Sequence, residues 1–145
     1  MALAAHDAAD RARQLTTVAE LLTERLTVEA AAFEARRPQD VAAGVAETQR
    51  LANLYRHEAV RIKTDPALIE PAPLADKAAL AEVVKRLDQV LRRHARALEA
   101  AKTLTEGLVH AIASEVAQGR APSAYGAQGV AAAGDARAVT LNRQA

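Results

Sequence analysis

Between Leu80 and Ile112, apolar or small residues return at alternating steps of four and three: Leu80, Val84, Leu87, Leu91, His94, Leu98, Ala101, Thr105, Leu108 and Ile112. A run of this kind holds one stripe on one face of an α-helix for turn after turn. It predicts a single helix over about 74–118, roughly 65 Å long at ~1.5 Å per residue. In a chain of 145 residues such a helix is too long for a compact globule, and acts instead as a spine on which shorter helices pack.

Two shorter helices precede it. Over about 8–36, Leu15, Val18, Leu22, Leu26 and Phe33 recur at helical spacing, with Glu20, Glu24 and Arg25 between them. Arg37-Pro38 ends that helix, because proline disfavours the helical conformation of the residue before it. Proline also suits the first turn of a new helix, and Asp40 adds a favourable negative charge there, so a second helix is expected over about 38–64. Its seam is Val41, Val45, Thr48, Ala52, Tyr55, Ala59 and Ile62. The segment "TDPALIEPAP" then turns the chain: Asp65 is placed to cap a turn beginning at Pro66, and Pro71 and Pro73 forbid a continuous helix.

The expected fold is all-α: an elongated, antiparallel, coiled-coil-like bundle of three helices over 1–118, followed by a flexible tail over 119–145. The tail sequence "GRAPSAYGAQGVAAAGDARAVTLNRQA" holds four of the chain's six glycines and no sustained periodicity, so it cannot order alone. With one Phe, two Tyr and no Trp, the core must be thin and built from Leu, Val, Ile and Ala.

Composition excludes several kinds of chemistry. Without cysteine there is no disulfide framework, thiolate metal site or thiol nucleophile. The opening "MALAAHDAADRAR" places Asp7 and Asp10 where an export signal needs an apolar run, and no apolar stretch approaches ~18 residues. This points to a soluble, cytoplasmic protein without membrane insertion. The 19 Lys and Arg against 18 Asp and Glu give a net charge of +1, far from a dedicated nucleic-acid domain.

No constellation of catalytic residues survives inspection. The histidines are His6, His57, His94 and His110; a di-iron bundle needs Glu-x-x-His pairs on facing helices, and the single Glu106/His110 pair, four apart, is not such a set. His94, on the seam, reads as a polar layer that fixes register. Ser114 and Ser123 lack a strand-turn-helix elbow, and "GAQGVAAAG" lacks the strand, helix and Lys-Ser/Thr of a phosphate loop. Hence no catalytic, cofactor-binding or metal-binding residue is assigned, and the chain is not read as an enzyme. Lys85, Arg92 and Arg96 share one line of the long helix, with Arg86 and Arg93 beside them; Glu82 and Asp88 dilute this stripe, and a solvated face with intrahelical ion pairs accounts for it. What remains is aliphatic surface off the seams: Leu21 and Val28 on the first helix, Leu51 and Leu54 on the second. These form a face for a partner helix, or pack internally or in a homodimer.

The words "RRPQDVAAGVAETQRLANLYRHEAVRIKTDPALIEPAP", "TEGLVHAIASEV", "YGAQG" and the terminal "TLNRQA", in that succession, resemble the FlbY-type alphaproteobacterial members of the FlgN family. The resemblance covers the chain from about Leu22 onward. It implies a cytoplasmic, all-helical flagellar type III export chaperone. Its partners would be late export substrates, such as the hook-associated proteins of the hook-filament junction, and an export-gate component. It marks Arg50, Leu51, Asn53, Tyr55, Arg56, Glu58, Arg61, Lys63 and Pro66, then Thr105, Glu106, Gly107 and Leu108, and in the tail Tyr125, Gly126, Thr140, Leu141, Asn142 and Arg143. With Tyr125 as a docking aromatic, the partner-binding set is Leu51, Leu54, Tyr125, Gly126, Leu141, Asn142 and Arg143. Two other readings stay beside it: a regulatory RNA-binding protein using the Lys85–Arg96 stripe, and a structural, oligomeric basal-body component.

Overall fold

The computed structural model describes residues 2–120 and divides the chain into two compact units, Met1–Ala101 and Lys102–Ala145. Three α-helices carry the fold: α1 (Ala8–Glu34), α2 (Val45–Thr64) and α3 (Leu74–Arg120). Short 3-10 turns at Pro38–Asp40, Ala42–Gly44 and Pro66–Leu68 join them, and among the described residues there is no strand.

Each end of α1 is set by local chemistry. The Asp7 carboxylate accepts a hydrogen bond from the Asp10 N–H at 2.8 Å, and the Asp10 carboxylate accepts one from the His6 N–H at 3.0 Å, a reciprocal cap that satisfies two free donors. The bond from the His6 N–H, with a second from Gln14 Nε2 at 2.9 Å, holds the Asp10 carboxyl below the usual carboxylate range. At the other end Arg36 turns left-handed at φ 61°, while the Arg37 N–H reaches the Ala32 carbonyl at 2.8 Å and the Arg36 N–H the Phe33 carbonyl at 3.0 Å. This pair of bonds closes a helix, with Arg36 in the position glycine usually fills.

The second helix begins later than Pro38. Pro38 opens a 3-10 turn instead, and a second such turn follows before α2 starts at Val45. Arg25 of α1 stitches this corner, donating from Nη2 to the Gly44 carbonyl at 2.5 Å and from Nε to Thr48 Oγ1 at 2.9 Å. A Cβ at position 44 would collide with that guanidinium, so glycine is what lets it approach. At the next corner the turn at Pro66 is present, but the Asp65 side chain makes no cap bond; the backbone carbonyl of Asp65 accepts from the Leu68 N–H at 3.1 Å.

In the first unit α2 runs antiparallel to α1, since Arg11 near the start of α1 pairs with Glu58 near the end of α2, and Glu29 near the end of α1 meets Thr48 near the start of α2. The first turns of α3 run parallel to α1: Arg13 pairs with Asp76, and Glu34 with Arg93. The core between them is Val18, Ala19, Leu22, Leu26, Leu51, Leu54, Val83 and Leu87, with Leu3, Ala52, Tyr55, Leu80 and Val90 packed at its margin. It is aliphatic and thin, as a chain nearly free of aromatics requires.

Both later seams are rotated from the expected ones. In α2 the buried positions are Thr48, Leu51, Leu54 and Glu58, while Val45 is exposed. In α3 the buried line passes through Val83, Leu87 and Ala97, leaving Leu91 and Leu98 about half exposed. Val83/Val84, Val90/Leu91 and Ala97/Leu98 are adjacent apolar pairs, so periodicity serves either line equally. The structure turns the smaller member of the two later pairs inward, where close helix approach favours it.

Candidate functional site: an uncovered aliphatic stripe on the third helix

Every residue from Lys102 to Gly119, the described part of the second unit before Arg120, is exposed. Five are large aliphatics: Leu104, Leu108, Val109, Ile112 and Val116, between 47% and 61% exposed. Leu104, Leu108, Ile112 and Val116 follow each other by four residues, which advances about 40° per step and winds a stripe slowly round the helix. Val109 widens it. Lys102, Glu106 and His110 lie on other sides, so the helix has an apolar face and a polar one. An aliphatic stripe of this length on solvent is the kind of surface that takes up an amphipathic helix.

Leu51 and Leu54, expected on the surface, are 4% and 7% exposed and belong to the core. They lie off the seam drawn through Val45 and Ala52, but the rotation of α2 puts that seam at the margin and these leucines at the centre. Their side chains are therefore core rather than free aliphatic surface. Leu21 and Val28 of α1 are exposed, as expected. Tyr125, Gly126, Leu141, Asn142 and Arg143 lie outside the described residues.

The basic stripe of α3 is largely paired. Lys85 meets Glu82 at 3.6 Å, Arg92 meets Asp88 at 2.8 Å, and Arg93 crosses to Glu34 of α1 with bonds of 2.9 and 2.6 Å. The bonds from Arg93 hold the Glu34 carboxyl below the usual range. His94 is a polar layer: its Nε2 stands 3.0 Å from Glu29 Oε1, Glu29 Oε2 accepts from Thr48 Oγ1 at 2.6 Å, and the Phe33 ring packs edge-on against the imidazole at 5.5 Å between centroids. Side chains from all three helices thus meet in that layer. No cluster of three or more potential metal ligands occurs among the described residues, and none of their helices is long and apolar enough to cross a membrane.

Sequence reasoning placed Leu108 and Ile112 on a seam with packed neighbours and did not single out Leu104, Val109 or Val116. The signal that finds them is the four-residue spacing of Leu104, Leu108, Ile112 and Val116.

The chain is 48% identical over 149 aligned positions, covering the whole of both chains, to the flagellar basal-body protein FlbY of Caulobacter vibrioides. The chain belongs to the family of that protein, a family of flagellar proteins. No protein-family model matches it, and no solved structure matches it.

Proposed function

We propose that this member of the FlbY family is a cytoplasmic export chaperone of the flagellum, related to FlgN, that holds late secretion substrates of the hook-filament junction type and delivers them to the export gate. The observation that carries the reading is the uncovered stripe from Leu104 to Val116. It offers an apolar surface to an amphipathic helix of a client and covers the face through which that client polymerises. Burial of four or five aliphatic side chains supplies affinity without nucleotide, metal or covalent chemistry. Release needs only competition for the same surface.

The test uses purified hook-filament junction proteins from the same cell. Titration calorimetry compares the full chain, the chain cut after Gln118 and the double variant Leu108→Glu/Ile112→Glu. Binding by the full chain and its loss in the double variant support the reading; undiminished binding by the double variant removes the stripe from it. Binding lost on truncation assigns a share to residues beyond Gln118, and binding kept by the truncated chain confines the client site to the helices.

A second reading draws on the relative, which is a flagellar basal-body protein. On that reading the stripe joins copies of this chain in a structural assembly. Light scattering across a concentration series separates the two: a stable oligomer dispersed by Leu108→Glu/Ile112→Glu favours the assembly, and a monomer that binds clients favours the chaperone.

A further inference from the structure

The outward face of α2 is built in three parallel rows. Asn53 and Val60, seven residues apart, form the middle row, and Val60 is 58% exposed. Arg50 and His57, also seven apart, flank it on one side, and Arg56 and Lys63 on the other. Seven residues is two turns of helix, so each row runs nearly along the axis. Arg50, Asn53, Arg56, His57 and Val60 line a shallow recess there.

The charges of this face are poorly balanced from within. Glu47, at its N-terminal edge, is taken up by Arg50 at 2.5 Å. Glu58, on the same helix, is held within the bundle by Arg11 and Arg61, and His57 Nδ1 stands 3.7 Å from it. Among the described residues no carboxylate pairs with Arg56 or Lys63, in contrast to Lys85, Arg92 and Arg93 of α3. Arg56 is nonetheless held in place: its Nη2 donates to Asn53 Oδ1 at 2.8 Å, and Gln49 Nε2 donates to the same oxygen at 3.2 Å. A neutral oxygen orients this guanidinium and leaves its charge unspent. Packing accounts for Leu51, Leu54 and Glu58 of this segment, but not for Arg56, Val60 or Lys63.

We infer that this face of α2 docks an acidic amphipathic helix of a protein partner. A helix face that sets the exposed aliphatic side chain of Val60 beside the cations Arg56 and Lys63 is half of a helix pair whose flanking charges choose the partner. Its complement carries a small aliphatic residue against Val60, with Glu or Asp on the side that meets Arg56 and Lys63. A nucleic-acid backbone fits less well, because it offers phosphates but nothing for Val60, and the face has no aromatic residue on which a base could stack. The site lies within the first unit and is independent of the proposed client stripe on residues 104–116.

The test is direct binding of two synthetic helical peptides of about three heptads, one with Glu flanking its apolar row and one with Gln in those places. Fluorescence anisotropy is read with the full chain, with Arg56→Glu/Lys63→Glu, with the milder Arg56→Gln/Lys63→Gln and with Leu108→Glu; circular dichroism melts show whether each variant is folded. The expected result is that the full chain prefers the Glu peptide about tenfold, as befits several exposed charge pairs. That preference weakens as salt rises from about 50 to about 300 mM, disappears in both Arg56/Lys63 variants and is unchanged in Leu108→Glu. Equal binding of both peptides, or a preference that survives in a folded Arg56/Lys63 variant, overturns the proposal. So does tighter binding of a single-stranded oligonucleotide of equal charge, which reassigns the face to nucleic acid. A change of oligomeric state in the Arg56/Lys63 variants without any peptide preference in the full chain overturns it in favour of a second copy.

Discussion

Arg11 and Glu58, forty-seven positions apart in sequence, meet at 2.6 Å with the Glu58 side chain wholly removed from solvent. The same carboxylate accepts from the Leu3 N–H at 3.2 Å and from Arg61 Nη1 at 2.8 Å. It therefore ties together the segment before α1, the first turns of α1 and the last turns of α2. A buried charge of this sort is costly to strip of its partners. Glu58→Ala leaves Arg11 desolvated and unpaired, and is expected to lower unfolding free energy by about 3–5 kcal/mol. Urea denaturation checks this, and the double replacement Arg11→Met/Glu58→Leu, which removes both charges, is expected to recover most of the loss.

The same carboxylate sets a pH dependence. Burial pushes the Glu58 carboxyl up, but the Leu3 N–H, Arg61 and Arg11 outweigh burial and hold it below its ordinary value of 4.5. A group with a depressed folded-state value binds its proton more readily unfolded, so its contribution is fully present above pH 4.5 and is lost as pH falls through the lower folded-state value. Stability measured by urea from neutral pH downward should decline below that point. Glu58→Gln, which cannot titrate, should flatten the decline while starting from a lower plateau.

The left-handed Arg36 gives a prediction of opposite sign. Its φ of 61° disfavours a side chain with a Cβ, and no ion pair of Arg36 compensates among the described residues. Arg36→Gly keeps the two closing bonds from the Arg36 and Arg37 N–H groups and relieves that strain. Thermal melting should show a stabilisation of about 1 kcal/mol, reduced by the greater freedom glycine gives the unfolded chain.

Much of this architecture is written in the spacing of residues. The long helix, expected over 74–118 and observed over Leu74–Arg120, is legible because a four-three repeat admits no other element, and the corner at 65–73 because three prolines forbid a continuous helix. What spacing does not settle is which of two adjacent apolar lines faces inward, since that depends on the approach of helices remote in sequence. Leu51 and Leu54 illustrate the result: both fall beside the line through Val45 and Ala52, yet they fill the core. The start of α2 at Val45 is hidden for a related reason. It depends on Arg25, nineteen positions before Gly44, reaching the Gly44 carbonyl. The polar layer at His94 was legible, because a single polar residue on a seam needs a partner; that the partner is Glu29, itself held by Thr48, comes only from the folded chain.

The choice between the two lines of α3 can be measured. If Val83, Leu87 and Ala97 face inward, truncating Leu87, which is 1% exposed, leaves a cavity among Val18, Leu22, Leu51 and Leu54. Leu87→Ala should cost about 2–5 kcal/mol, the range for a large buried aliphatic. Leu91 and Leu98, 45% and 47% exposed, lose far less burial when truncated, so Leu91→Ala and Leu98→Ala should each cost about 0.5 kcal/mol. The line through Val84, Leu91 and Leu98 predicts the reverse for Leu91 and Leu98, with losses near that of Leu87→Ala. Chemical denaturation of the three single variants at one pH distinguishes the two arrangements, because the expected gap is several times the error of the extrapolation.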